Sequence, residues 1–334
     1  MTAMFALVKG ASSELEDSIV LNIADHLKKA GVSVNLITLG GFRSTVLAAK
    51  QIWRCDLLIV HSPLIFSALH IMISRILRRP VVGLIWDKYP VTLNKVRFDK
   101  SLRRRILDLI ENSALKMCSH VIVPSSDFLA AKSLKHAIVL PFWTPIRYEA
   151  RREATSRVGD RPKILFAGQI NRTRDLVSAF AHLTSLLGNR FELLVASSDP
   201  LPPSLEAREN ITYLGFLERA ALFATMKSCD FGLVSLSPGF DGPGFPSKTF
   251  AYLSAGLPCI YYGKPLPHYT SALQDSGVGF DIGPSCQPLS DWSPPNEHMS
   301  EAVRRFSQQF ELNSEQLITQ LYAIAGVDRA GASV

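Results

Sequence analysis

Apolar and polar positions along this chain follow two alternating periods. Short apolar runs recur at 4–9, 32–39, 56–60, 81–85, 120–123 and 137–140. Between them the spacing becomes helical, most clearly at Leu15, Ile19, Ile23 and Leu27, which run up to a stop at Gly31. Further helical segments are predicted near 64–77, 98–118 and 127–134. Continuous apolar strands interleaved with helices predict a parallel sheet covered on both faces. The stretch 144–162 breaks this rhythm with Pro145, Pro162, Gly159 and a dense run of charges. A second strand–helix series then occupies 163–168, 191–197, 211–214, 230–236, 257–262 and 278–282. Two helical segments, 297–310 and 314–324, either close the second half or cross back to the first. The expectation is an α/β chain of two doubly wound Rossmann-like domains, 1–143 and 163–334, joined by a linker and facing a central cleft.

Composition permits this and narrows the chemistry. A length of 334 residues, 47% of them hydrophobic, suffices for two cores. The five cysteines are scattered without CxxC or metal-ligand spacing, which reads as reduced thiols of a cytosolic protein. No leader pattern and no apolar run of spanning length is recognisable. GxGxxG, Walker, Asp-x-Asp, HExxH and GxSxG patterns are absent, so metal-dependent and serine-hydrolase mechanisms have no sequence support.

Charge is divided unevenly. Residues 1–160 hold 23 Lys and Arg against 13 Asp and Glu, whereas 161–334 hold 13 against 16. Within the basic half, Lys95, Arg97, Lys100, Arg103, Arg104 and Arg105 cluster, and 64–79 is almost wholly apolar until its basic end of Arg75, Arg78 and Arg79. Together these suit an anionic membrane surface; the alternative is a core helix beside a solvated basic face. Nucleic-acid binding lacks both a motif and an aromatic platform.

The most informative stretch is 245–258. A Gly- and Pro-rich loop ends in Phe245-Pro246-Ser247-Lys248 and feeds a short helix, followed by an apolar strand. Ser247 suits the helix N-cap, and Lys248 puts a cation where the helix dipole favours an acid. That placement makes sense if an anion binds there; the alternative is an ordinary capped helix with a solvated lysine. In the loop after the first strand of the second domain, Gly168 is followed by Arg172 and Arg174, planar cations able to hold phosphate oxygens in a bidentate way. The alternative there is a solvated loop with an Arg174–Asp175 pair.

These residues resemble glycosyltransferases of the GT-B fold, family four in particular. The family's Pro-Ser-Lys-x-x-Glu-Tyr-x-x-x-Gly-x-Pro segment is matched by Pro246, Ser247, Lys248, Tyr252, Gly256 and Pro258. The chain departs at Ala251, where the family carries the glutamate that holds the donor ribose. The partner acid is also replaced, by Pro243, with Asp241 as a stand-in. The xanthan glucuronosyltransferase type, which also replaces that glutamate, is a looser likeness.

The resemblance implies a donor site of Gly168, Arg172, Arg174, Gly215, Phe216, Asp241, Gly244, Ser247, Lys248 and Tyr252, with the base lying near Gly215 and Phe216. It implies acceptor contacts at His61, Trp86 and Asp87, with Asp87 as base or acceptor contact and Lys248 stabilising the leaving diphosphate. Gly10 matches half of the family's glycine pair, while Ser12 and Ser13 read better as helix caps. The implied reaction moves a sugar from a nucleoside diphosphate donor to a lipid-linked or growing-glycan acceptor in cell-surface polysaccharide or glycolipid synthesis. It uses no cofactor and no metal, and takes place in the cytoplasm, peripherally at the membrane. A nucleotide-sugar epimerase of the same fold and a non-catalytic subunit are the rival readings.

Overall fold

The computed structural model describes residues 3–9, 14–38, 42–86, 102–132, 134, 137–141, 161–240, 243–284 and 295–327. The chain divides into two compact units. Unit 1 holds Met1–Pro145, Pro243–Phe245 and Phe310–Val334; unit 2 holds Ile146–Gly242 and Pro246–Gln309.

Unit 1 is built on a parallel six-stranded sheet: β1 (Met4–Lys9), β2 (Ser33–Thr38), β3 (Leu57–His61), β4 (Val81–Leu84), β5 (His120–Val123) and β6 (Ala137–Val139), in the order β2-β1-β3-β4-β5-β6. Its helices are α1 (Glu14–Lys29), α2 (Phe42–Arg54), α3 (Ala68–Ile76) preceded by the 3-10 turn Leu64–Ser67, α4 (Leu102–Met117) and α5 (Asp127–Lys132). Strand β3, apolar up to its terminal His61, is buried along its whole length because helices cover both faces of the sheet. On one face Leu7, Leu57 and Leu84 pack with Val20, Ile23 and Leu27 of α1. On the other, Val8, Leu58 and Val60 pack with Ile52 of α2, Ile71 of α3 and Leu115 of α4.

Unit 2 carries β7 (Lys163–Ala167), β8 (Glu192–Ala196), β9 (Ile211–Gly215), β10 (Phe231–Ser235), β11 (Cys259–Tyr262) and β12 (Gly279–Asp281), all parallel, in the order β12-β11-β10-β7-β8-β9. The helices are α6 (Leu176–Leu187), α7 (Pro203–Glu206), α8 (Arg219–Ser228), α9 (Lys248–Ser254), α10 (Pro267–Asp275) and α11 (Glu297–Ala325). Each sheet reverses its winding once, at β1/β3 in unit 1 and at β7/β10 in unit 2. In open parallel sheets such reversals leave a crevice at the carboxyl ends of the strands, where ligands bind.

The structure departs from the sequence expectations at three elements. Helix α2 was not anticipated, although Ala48 and Ile52 form a buried stripe on it. The two expected terminal helices are one continuous helix, α11. The polar residues that suggested a break are satisfied without one: Ser314 Oγ donates to Phe310 O at 2.7 Å, and Asn313 Nδ2 donates to Pro141 O. The helix therefore belongs to unit 2 up to Gln309 and to unit 1 from Phe310. The segment 64–77 begins as a 3-10 turn and continues as α3, with one side buried and the other exposed.

Candidate functional site

The strongest candidate lies where the winding of unit 2 reverses. Strand β7 ends at Ala167, and Gly168 follows with φ +152°, a conformation open to glycine and strained for any other residue. A Cβ at this position would lie 3.2 Å from Arg174 Nη1 and 3.9 Å from Lys248 Cε. Two cationic side chains from distant parts of the chain therefore converge over a bare glycine. Like charges repel, so this arrangement costs free energy unless an anion joins them. Burial, and then the neighbouring Arg174 guanidinium, lower the Lys248 ammonium from 10.5 to about 8. Among the described residues, no carboxylate forms an ion pair with Lys248 or Arg174.

The loop bearing Arg174 is fixed by its own short polar side chains. Asn171 Oδ1 accepts from the backbone N–H of Thr173 and of Arg174, both at 3.0 Å. Asp199 Oδ2 accepts from Ile170 N at 2.7 Å. Asp175 caps α6, accepting from Ser178 N at 3.0 Å and from Ser178 Oγ at 2.7 Å. The carboxylate of Asp175 is thus engaged in helix capping, and the Arg174 side chain lies over Gly168 instead. The end of β10 ties down the same loop, since Ser235 Oγ donates to Asp175 O and Ser237 N to Thr173 O. Arg172 lies exposed on this loop.

Helix α9 presents Lys248 from a rigid seat. Tyr252 is fully buried; its hydroxyl accepts from Ala167 N at 2.9 Å and donates to Leu233 O at 3.3 Å. Glycine at 232 makes room for the tyrosine ring, because a Cβ there would fall 2.3 Å from Tyr252 Cγ. Elsewhere on the helix, Thr249 Oγ1 meets the Tyr269 hydroxyl at 2.7 Å, and Ser307 Oγ donates to Leu253 O at 3.0 Å. With these faces packed, Ser247, Lys248 and Ala251 form the accessible strip of α9.

Two sequence expectations change here. Tyr252, expected among the donor-binding residues, instead braces the strand end beside Gly168. Ser247 stands at the N-cap position with helical φ −61° and ψ −25°, and its side chain makes no capping bond. An N-cap normally takes an extended conformation so that its oxygen can turn back onto the helix. Here the hydroxyl is left for other partners. Ala251 sits one turn beyond Lys248 on the accessible strip, the position where the resemblance calls for a carboxylate.

Of the other expected donor residues, Gly215 ends β9 with φ +66°, followed by the exposed ring of Phe216. Gly244 is half-buried ahead of α9, and Asp241 lies outside the described residues. Sequence reasoning missed Asp199 and Tyr213, whose hydroxyl donates to Ser197 O and Asp199 O at 3.1 and 2.9 Å. The turn signal Ser197-Ser198-Asp199-Pro200 was available as a clue.

In unit 1, His61 ends β3 at the reversal next to β1, and Trp86 follows β4. Their rings stack at 5.3 Å with an interplanar angle of 18°. His61 Nδ1–H donates to Ser62 O at 2.9 Å, and Ser62 Oγ accepts from Trp86 N at 3.3 Å. The structure thus brings these two acceptor-side candidates together. Asp87, Gly10, Ser12 and Ser13 lie outside the described residues, as do Lys95, Arg97 and Lys100.

No family model matches this chain, and no curated protein matches it by sequence. Solved structures do. A sucrose-phosphate synthase from Thermosynechococcus elongatus aligns over 97% of this chain and 96% of its own, with TM-score 0.60 and 15% identity. The glycosyltransferase SnogD from Streptomyces nogalater aligns over 98% of this chain and 100% of its own, with TM-score 0.52 and 14% identity. A UDP-N-acetylglucosamine 2-epimerase of Listeria monocytogenes, itself described as putative, covers both chains fully with TM-score 0.55 and 9% identity. The chain has the GT-B fold. At these identities the likeness concerns architecture, and chemistry must be argued from the site.

Proposed function

We propose that the protein is a GT-B glycosyltransferase of the family-four type that transfers a sugar from a nucleoside diphosphate donor. The observation that carries this reading is the convergence of Arg174 and Lys248 on Gly168 at the strand reversal of unit 2. A diphosphate supplies the negative charge that the paired cations lack. Its oxygens can approach the backbone at Gly168 because no Cβ intervenes, while Arg174 offers a planar fork and Lys248 a point charge. As the glycosidic bond to the donor breaks, negative charge grows on the leaving phosphate. Fixed cations in a partly desolvated seat stabilise that charge more strongly than the ground state, which is how they accelerate transfer. Arg172, Ser247 and Gly244 complete the proposed phosphate loop, Asp241 stands in for the acid expected near the ribose, and Gly215 and Phe216 receive the base.

Unit 1 is proposed to hold the acceptor, through the stacked His61 and Trp86 and through Asp87, with the rings packing against sugar faces. The acceptor is proposed to be a lipid-linked or growing glycan for cell-surface polysaccharide or glycolipid synthesis, handled at the cytoplasmic face of the membrane. No metal is required in this reading, because the two cations take the role of a charge clamp. Ala251 leaves the ribose without the carboxylate expected from the resemblance.

The test is to incubate the protein with a panel of nucleotide sugars, with and without lipid-linked acceptors, and to follow donor and product by mass spectrometry and NMR. Acceptor-dependent loss of donor supports transfer. Conversion of donor into an epimer without acceptor indicates the epimerase reading, and donor binding without turnover a non-catalytic subunit.

A further inference from the structure

We infer that the outer side of the α2–α3–α4 layer of unit 1 docks on a lipid bilayer carrying anionic headgroups. The layer has two very different sides. Inward, α2, α3 and α4 contribute Ile52, Ile71 and Leu115 to one core over the sheet. Outward, the same helices expose apolar side chains. On α2 these are Leu47, 64% exposed, and Trp53, 62% exposed. From the 3-10 turn through α3 they are Phe66, Leu69, Met72 and Ile76, which lie three to four residues apart and so form one stripe. On α4 they are Ile106 and Leu109, 48% and 67% exposed. Helix α3 packs against α2 on one side and α4 on the other, so the stripes lie side by side. Monomeric soluble proteins seldom expose so much contiguous apolar surface without an interaction to cover it.

Charge identifies the occupant. Exposed cations are interleaved with the apolar stripes: Lys50 and Arg54 on α2, Arg75 on α3, Arg78 just beyond it, and Arg105 on α4. Arg79 Nη2 donates to Trp53 O at 2.8 Å, tying the ends of α2 and α3 together. Neither α2 nor α3 contains an acid. On α4, Glu111 is buried and accepts from Ile65 N at 2.8 Å, and the other acid of this helix, Asp108, is half-buried. Apolar side chains ringed by long cations fit the boundary between acyl chains and anionic headgroups, with the cations snorkelling outward. A second copy of the chain fits poorly. In a twofold interface the same face meets itself and sets these cations against their own copies. No helix among the described residues is long and apolar enough to cross a membrane, so the contact is lateral.

This inference rests on unit 1 alone; its link to a lipid-linked acceptor rests on the transfer reaction proposed above. Flotation with phosphatidylglycerol/phosphatidylcholine vesicles, at low and high salt, tests it. Two variants accompany the wild type: Phe66→Ser with Leu69→Ser and Ile76→Ser, and Lys50→Gln with Arg54→Gln and Arg75→Gln. Wild type should float with anionic vesicles. The charge variant should lose at least about tenfold in partitioning, and the apolar variant should lose binding at either salt. Should the apolar variant fail to fold, quenching of wild-type tryptophan emission by brominated lipid, absent in Trp53→Phe, gives the same answer. Nucleotide affinity should be unchanged in every folded variant, so a negative result here leaves the donor reading standing. Wild type that ignores anionic vesicles, or apolar and charge variants that float as well as it does, would overturn the inference. So would a wild-type dimer that the apolar substitutions dissociate in the absence of lipid.

Discussion

Lys248 is the residue on which the donor site turns, and its lowered pKa gives it two opposite pH signatures. Below about pH 8 the side chain is an ammonium and phosphate affinity is at its full value; above that, affinity falls as the charge is lost. A bound phosphate favours the charged form, so nucleotide binding near pH 8 takes up a proton. Stability runs the other way. A folded-state value below the ordinary 10.5 means that the semi-buried ammonium costs stability at low pH, and the cost fades as pH rises from about 8 towards 10.5. Nucleotide titrations and thermal melts across this range should therefore trend in opposite directions in wild type. In Lys248→Met both of these trends should flatten. A nucleotide affinity that stays level in wild type through pH 8 to 10 would show that Lys248 does not carry the phosphate.

At the scale of elements, the geometry of the site depends on how α9 is seated beneath β7 and β10. Tyr252→Phe keeps the ring but leaves Ala167 N–H without its hydroxyl partner, an expected loss of about 1–3 kcal/mol in stability. Gly232→Ala forces a methyl into the Tyr252 ring and should cost about 1–3 kcal/mol or more. Chemical denaturation measures both. An unchanged midpoint in either variant would mean that the tyrosine does not brace the strand.

The same element shows how far the sequence could be read. The short helix and following strand at 248–262 were legible because their apolar period is unambiguous. Which side of α9 carries Tyr252 was not, since a one-residue change in helix phase moves the ring from solvent to core. The phase is set by the empty space at Gly232, sixteen residues before the helix, and local periodicity cannot report that space. The convergence of Arg174 and Lys248 was only half legible. Each basic residue was recognisable in its own loop, but their meeting over Gly168 depends on the pairing of β7 with β10, which is non-local. Helix α2 went unread although its inward stripe of Ala48 and Ile52 is regular; the exposed Leu47 and Trp53 on its outer side blur the amphipathic pattern.

For the whole molecule, the alternation of apolar strands and helices was enough to indicate two parallel α/β units, because buried parallel strands leave a strong mark on composition. The single helix α11 was misread as two because Asn313 and Ser314 suggest a break until their partners are known. The uneven charge of the two halves takes physical form in the exposed cations of α2, α3 and α4. The larger claim is that unit 2 grips a nucleoside diphosphate. Calorimetric titration of nucleoside diphosphates into wild type, Lys248→Met and Arg174→Gln tests that claim most directly, with circular dichroism confirming that each variant is folded. Loss of one charge-assisted contact, about 1.5–3 kcal/mol, should weaken binding of the preferred nucleotide by about 10- to 100-fold in each folded variant. Equal affinity in all three proteins, or no nucleotide binding by wild type, would contradict it.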